Sequence, residues 1–237
     1  MALLNQFHAR IKAKAKDNSL APVLIVALGD SVTQGCMEEG RMDFDAVYHH
    51  QLKRLLERRY PATTFSVVNA GVGGESASGG LARLARDVIR HQPDLVIVGY
   101  GLNDACGGLG NLAAFRDVLA GLLRRIRCET EADIVLLTPN RMAAHDNDLV
   151  PARWKPIIGH FVETQRGGAL NAYVQAIREV GAGIGVVLAD VHAAWENLER
   201  QGTDTTPLLC NGINHPNAEM HEATARIIMK EIETYEK

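Results

Sequence analysis

Five short runs dominated by apolar residues, at 23–28, 65–69, 95–100, 134–138 and 184–189, alternate with segments of helical periodicity. This alternation restricts the fold more than any other feature of the chain. A strand that reads as one continuous apolar run is covered on both faces, as in a parallel sheet. Between the runs, residues 45–60 place Val47, Leu52, Leu55 and Leu56 on one helical face, and residues 78–91 repeat Leu81, Leu84, Ala85 and Val88 at helical spacing. Further helices are expected at 112–127, 169–180 and 217–235, the last behind Pro216 with Asn217 as its cap. Strands alternating with helices imply right-handed crossovers that lay helices on both faces of the sheet. The expected architecture is therefore a three-layer α/β/α sandwich of flavodoxin-like type, with a five-stranded parallel sheet in the order 2-1-3-4-5.

At 237 residues and 46% hydrophobic content the chain can bury a substantial core, and no repeat, linker or low-complexity tract divides it. One domain over residues 1–237 is expected. Residues 1–20 read as an N-terminal helical extension, in which 9–16 alternate Ala with Lys and Arg like a short surface helix. Residues 140–168 break the rhythm with Pro151, Trp154, Pro156, His145 and His160. Following the fourth strand directly, they read either as a lid-like insertion or as a plain surface excursion.

The net charge of −3, with no basic stripe, argues against a nucleic-acid partner. No apolar run approaches a membrane span and residues 1–20 lack a sustained apolar stretch, so a cytoplasmic protein without a membrane partner is expected. The four cysteines form no CxxC pair. Cys36, Cys106 and Cys210 each lie within five residues of a motif residue named below, yet their simplest reading is as small gap-filling side chains. Neither metal nor cofactor is implied, and a homo-oligomer is left open.

In a parallel sheet every strand-to-helix loop leaves from the same edge, where ligands bind. Gly29-Asp30-Ser31-Val32 follows the first run, Asn69-Ala70-Gly71-Val72-Gly73-Gly74-Glu75-Ser76 the second, and Gly101-Leu102-Asn103-Asp104 the third. Asn211-Gly212-Ile213-Asn214-His215-Pro216 leads into the last helix. These loops hold the parts that acyl transfer requires. A serine needs a base near pKa 7 to take its proton, and the tetrahedral oxyanion needs preorganised N–H donors from backbone or amide groups. Asp30, Asn69 and Asp104 are expected to brace the loops. His49, His50, His91 and His221 fall in expected helices as surface or packing residues. The glycines at 71, 73 and 74 follow the second strand and lack the full dinucleotide spacing, so a nucleotide site is disfavoured.

The four blocks, in this order from Gly29 to Pro216, resemble those of the SGNH or GDSL-type serine hydrolases, a family of esterases, lipases, thioesterases and carbohydrate deacetylases. That resemblance implies Ser31 as nucleophile with its own N–H in the oxyanion hole, Gly74 and Asn103 as further oxyanion donors, and His215 as base. Glu75-Ser76 stands where the family often has Asp-Thr. The family's acid, three residues before the histidine, is absent, because that position is Gly212. In an unrelated triad hydrolase, replacing the acid by Asn costs about 10⁴-fold in turnover.

Three outcomes stay open at this stage. A backbone carbonyl or the Asn211 side chain orients the imidazole of a Ser–His dyad; a distant acid, Asp190 or Asp204, takes over; or the protein is a weak or inactive binding relative. The expected activity is that of a serine esterase on short acyl groups. With aromatics at 5% and no long apolar surface, a small-molecule or carbohydrate ester is favoured over a lipid. A flavin- or nucleotide-binding protein of flavodoxin type is the remaining alternative, which leaves Asn103 and His215 without a purpose.

Overall fold

The computed structural model describes residues 3–236. Five strands, β1 (Val23–Gly29), β2 (Phe65–Gly71), β3 (Leu95–Gly99), β4 (Asp133–Leu137) and β5 (Val187–Ala189), form one parallel sheet in the order β2-β1-β3-β4-β5. The helices are α1 (Asn5–Lys16), α2 (Ser31–Gln34), α3 (Tyr48–Arg59), α4 (Ala77–Asp87), α5 (Leu102–Cys106), α6 (Leu112–Glu129), α7 (Ile158–Arg166), α8 (Ala169–Ile184), α9 (Val191–Arg200) and α10 (Ala218–Thr234). Among the described residues no helix is long and apolar enough to cross a membrane.

The apolar runs are continuous because successive residues serve opposite faces. Val26, Leu28, Val96, Val98, Ile134 and Leu136 pack with α4, α6 and α8. Their neighbours Val23, Ile25, Leu95, Ile97, Val135 and Leu137 pack with α1, α3 and α10. The expected sandwich and strand order are both present.

Boundaries moved where turn chemistry outweighed the apolar pattern. The run at 184–189 is a helix end followed by a strand: Gly185, at φ 75°, caps α8 after Ile184, and β5 starts only at Val187. Helix α3 starts three residues inside its expected limit, because the Asp43 carboxylate accepts the N–H groups of Asp45 and Ala46 in a turn of its own. The N-terminal helix is not a surface element. Phe7 and Ile11 are buried in the core, each contributing about 2 kcal/mol or more on the usual area scale, and Asp133 accepts the Phe7 N–H at 2.8 Å. The Ala/Lys/Arg alternation describes only its outer half.

Residues 140–168 are not a loose excursion either. Ala143, Val150 and Ile158 form a small core with Val191 and Trp195 of α9 and with Leu209, Ile213 and Met220. The segment ends in a regular helix, α7. This small core abuts the loop that carries His215.

Candidate active site

Ser31 opens α2, two residues beyond the end of β1. Asp30 caps that turn by accepting the Val32 N–H at 2.9 Å, which points the Ser31 side chain out of the sheet edge. Asp30 is buried, and burial first of all pushes its carboxyl up to about 7, against the Val32 hydrogen bond. Asn69 and Asp104 brace their loops as expected. Asn69 joins the Gln34 carbonyl (3.1 Å) to the Gly71 N–H (3.0 Å), and Asp104 accepts from Ala77 and Gly101.

His215 arrives from a tight loop. Leu209 pairs with Pro216, the Cys210 N–H donates to the His215 carbonyl at 2.9 Å, and Asn211 fills the interior. The Asn211 Oδ1 accepts three backbone N–H groups, from Ile213, Asn214 and His215, at 3.0, 2.9 and 2.9 Å. Asn211 therefore shapes the backbone of His215 and makes no hydrogen bond to its ring, which corrects that expectation. The insertion grips the same loop from outside. Asn147 donates to the Gly212 carbonyl (2.9 Å), Ala143 to that of Ile213 (2.7 Å), and Asn140 to that of Asn214 (2.9 Å).

The imidazole Nε2 lies 3.0 Å from the Ser31 Oγ, and Nδ1 lies 2.8 Å from the backbone carbonyl of Met37. A carbonyl can only accept, so Nδ1 carries the proton and Nε2 presents its lone pair to the serine hydroxyl. Burial lowers the His215 pKa from its ordinary value, with the Met37 carbonyl opposing in part. The neutral form is thus the resting one. Met37 sits on a small loop closed by the Cys36–Met42 bridge and by the Met37 N–H to the Arg41 carbonyl at 3.0 Å. No side-chain pattern in the sequence announces such a carbonyl.

The distant acids do not reach His215. Asp190 caps α9 through the Ala193 N–H, accepts from Thr138, and pairs with Arg178 at 2.8 Å. Asp204 is paired with His145 at 3.0 Å and accepts the Thr206 N–H. Each already has a structural partner, and both are corrected as orienters of the base. The vacancy at Gly212 also has a physical cause. A Cβ there would lie 2.5 Å from the Asn147 Oδ1 and 2.7 Å from the Val150 nitrogen, and φ is +66°. The insertion fills the space that an acidic side chain would need.

On the other flank, Asn103 lies in the first turn of α5 and donates through Nδ2 to the Glu75 carbonyl at 3.0 Å, with Asp30 Oδ2 at 3.5 Å. Gly74 sits in a turn closed by the Glu75 N–H and the Val72 carbonyl. Ser31, Gly74, Asn103 and His215 all line one cleft of about 460 Å³. Its walls include Glu38, Glu39 and Arg41 from the Met37 loop, and Pro151, Arg153, Trp154 and Phe161 from the insertion and α7. An ion pair between Arg153 and Glu39 joins the two walls. Of the three thiols, Cys36 lines the cleft and burial pushes its pKa up, while Cys210 bonds to the His215 carbonyl and Cys106 packs against the core. His145 and His160 do not line the cleft, whereas Trp154 does.

A family model described as the GDSL-like lipase/acylhydrolase family matches residues 27–223. The acetylxylan esterase of Geobacillus stearothermophilus is 24% identical over 221 residues, covering 88% of this chain and 93% of that protein. Esterase TesA of Pseudomonas aeruginosa is 29% identical over 119 residues, 49% of this chain and 56% of that one. Among solved structures, an acetylxylan esterase from G. stearothermophilus superposes with a TM-score of 0.69 at 21% identity, covering 88% of this chain and 93% of that one. A lipase/acylhydrolase from Enterococcus faecalis superposes with a TM-score of 0.66 at 24% identity, covering 89% and 95%.

Proposed function

The chain belongs to the GDSL-like lipase/acylhydrolase family, and from that premise we propose that it is a serine esterase working through a Ser31–His215 dyad. One observation carries the reading: the hydroxyl of Ser31 and the imidazole of His215 meet at 3.0 Å on the floor of a cleft, with the far ring nitrogen tied to a backbone carbonyl. The Ser31 Oγ attacks the ester carbonyl carbon while its proton passes to Nε2. The tetrahedral oxyanion accepts from the N–H groups of Ser31 and Gly74 and from Asn103 Nδ2, donors of a kind worth about 3 kcal/mol each in hydrolases. The bond to the alcohol oxygen then breaks, and the imidazolium returns its proton to the departing alcohol. Water, deprotonated by the same nitrogen, releases the acid and restores Ser31.

The substrate we propose is a short-chain, first of all acetyl, ester of a sugar or small metabolite. Support comes from the acetylxylan esterase among the relatives, and from an open cleft with Trp154 on its wall, an aromatic face on which a sugar ring can stack. No metal or organic cofactor takes part in the proposed chemistry.

The test is release of p-nitrophenol from p-nitrophenyl acetate by wild type and by Ser31→Ala, alongside labelling with a fluorophosphonate. The reading requires serine-dependent turnover and labelling; absence of both would leave a binding protein that kept the cleft. That rival draws on Gly212, where the family has its acid.

A further inference from the structure

A cation in the protein interior is costly unless its hydrogen bonds are met in full. Arg83, in the middle of α4, is such a cation: its side chain is 11% exposed and faces Glu75 at 13% and Asp87 at 17%. Its Nε donates to both Glu75 carboxylate oxygens, at 2.9 and 2.8 Å, and Nη1 donates to Asp87 at 2.8 Å. Its Nη2 reaches Glu75 Oε2 at 2.6 Å, the Tyr100 hydroxyl oxygen at 3.0 Å and the Gly29 carbonyl at 3.2 Å. The Tyr100 hydroxyl donates to Glu75 at 2.7 Å.

The partners are informative because of where they stand in the chain. Gly29 is two residues before Ser31, Glu75 directly follows Gly74, and Tyr100 is three residues before Asn103. One planar guanidinium therefore bonds at the root of all three loops that carry Ser31, Gly74 and Asn103. Glu75 closes the circuit, since its carbonyl is the acceptor for Asn103 Nδ2. Space for the network is made by a glycine pair in α4. A Cβ at Gly79 would lie 2.5 Å from the Glu75 Cγ, and one at Gly80 would lie 2.3 Å from the Tyr100 hydroxyl. Glycine weakens a helix interior, so the pair is costly to α4 and useful to its neighbours. Burial opposes the charge on Arg83, but the hydrogen bonds of Glu75 and Asp87 outweigh it and raise the guanidinium pKa.

We propose that Arg83 is the positioning residue of the oxyanion site, setting through Glu75, Tyr100 and Gly29 the spacing of the Gly74 and Asn103 donors from Ser31. This rests on the esterase reading above. A bidentate fork meets several acceptors in one plane, which the point charge of a lysine cannot do.

The experiment compares Arg83→Met, Arg83→Lys and Glu75→Gln with wild type on p-nitrophenyl acetate. A phenylboronic acid serves as the tetrahedral mimic, and thermal melting reports folding. Arg83→Met is expected to lose about 100-fold in kcat and a similar factor in boronate affinity, with KM within about threefold; Arg83→Lys and Glu75→Gln lose about tenfold by the same signature. Arg90→Ala, an exposed position beyond the end of α4, keeps wild-type rates. A folded Arg83 variant with kcat within about threefold of wild type, or one in which only KM rises, overturns the proposal. If Arg83→Met does not fold, Glu75→Gln decides by the same two readouts. Failure of the esterase reading is seen separately, as wild-type hydrolysis that survives Ser31→Ala.

Discussion

On the imidazole flank of the cleft the working group is held by neutral partners, whereas on the amide flank the donors rest on a buried cluster of charges. His215 leans on the Met37 carbonyl, and its loop is shaped by Asn211 and gripped by Asn140 and Asn147. Asn103 and Gly74 stand in front of Arg83, Glu75 and Asp87. A carbonyl dipole fixes the tautomer of an imidazole but offers an imidazolium less than a full negative charge does. The charged cluster faces away from the cleft and serves geometry. The comparison teaches that tautomer control and charge stabilisation, which one carboxylate supplies together in a triad, are separable. This protein keeps the first with a backbone atom and places its buried charges under the other flank.

The largest effect expected from breaking the comparison is on the imidazole side. His215→Ala removes the proposed base, which meets Ser31 at 3.0 Å, and lowers turnover about 10⁴-fold or more, measured as kcat on p-nitrophenyl acetate. Asn103→Ala on the amide side costs less, about 10²- to 10³-fold in kcat with KM little changed; equal losses on the two sides would mean that the flanks are not distinct in kind. Gly212→Asp attempts to restore the charged plan, and we expect it to lower the unfolding free energy by about 3 kcal/mol without raising kcat, because the new side chain collides with Asn147 and Val150 at a positive φ. A rise in kcat would show that the vacancy is not steric. Asn211→Ala leaves three backbone N–H groups, two of them buried, without their acceptor and destabilises by about 2 kcal/mol in a urea titration, more than an exposed asparagine would.

The smallest effect sharpens the comparison through pH. As the proposed base His215 must be neutral to act, so activity is expected to be complete above its pKa and lost as pH falls through it. Since burial lowers that pKa from 6.5 and no carboxylate among the described residues raises it, the acid limb of kcat/KM belongs below 6.5. An inflection above 6.5 would reveal an anionic partner for Nδ1.

The sandwich was legible in the chain because burial on both faces of a parallel sheet leaves continuous apolar runs, and Val26 and Leu28 against Val23 and Ile25 show that division of labour. Ser31, Gly74 and Asn103 were legible because strand-end loops share one edge by topology, and His215 because its block stands just ahead of the last helix. Helix α9 was not read, since Val191–Arg200 follows β5 after the single residue Asp190. The same carboxylate, noted as a candidate acid, is its cap and the partner of Arg178.

The sequence by itself determined the layers, the strand order and the four loops brought together, because periodicity and chain order are local properties that survive translation into space. Tertiary structure alone decided what holds His215 and what holds the donors opposite it. The Met37 carbonyl belongs to a backbone that any residue type would provide, so composition cannot mark it. Arg83 reads as one more polar position on an amphipathic helix until folding sets Gly29, Glu75 and Tyr100 around it. Hydrogen bonds depend on distances of a few tenths of an ångström between residues far apart in the chain, and only packing sets those distances.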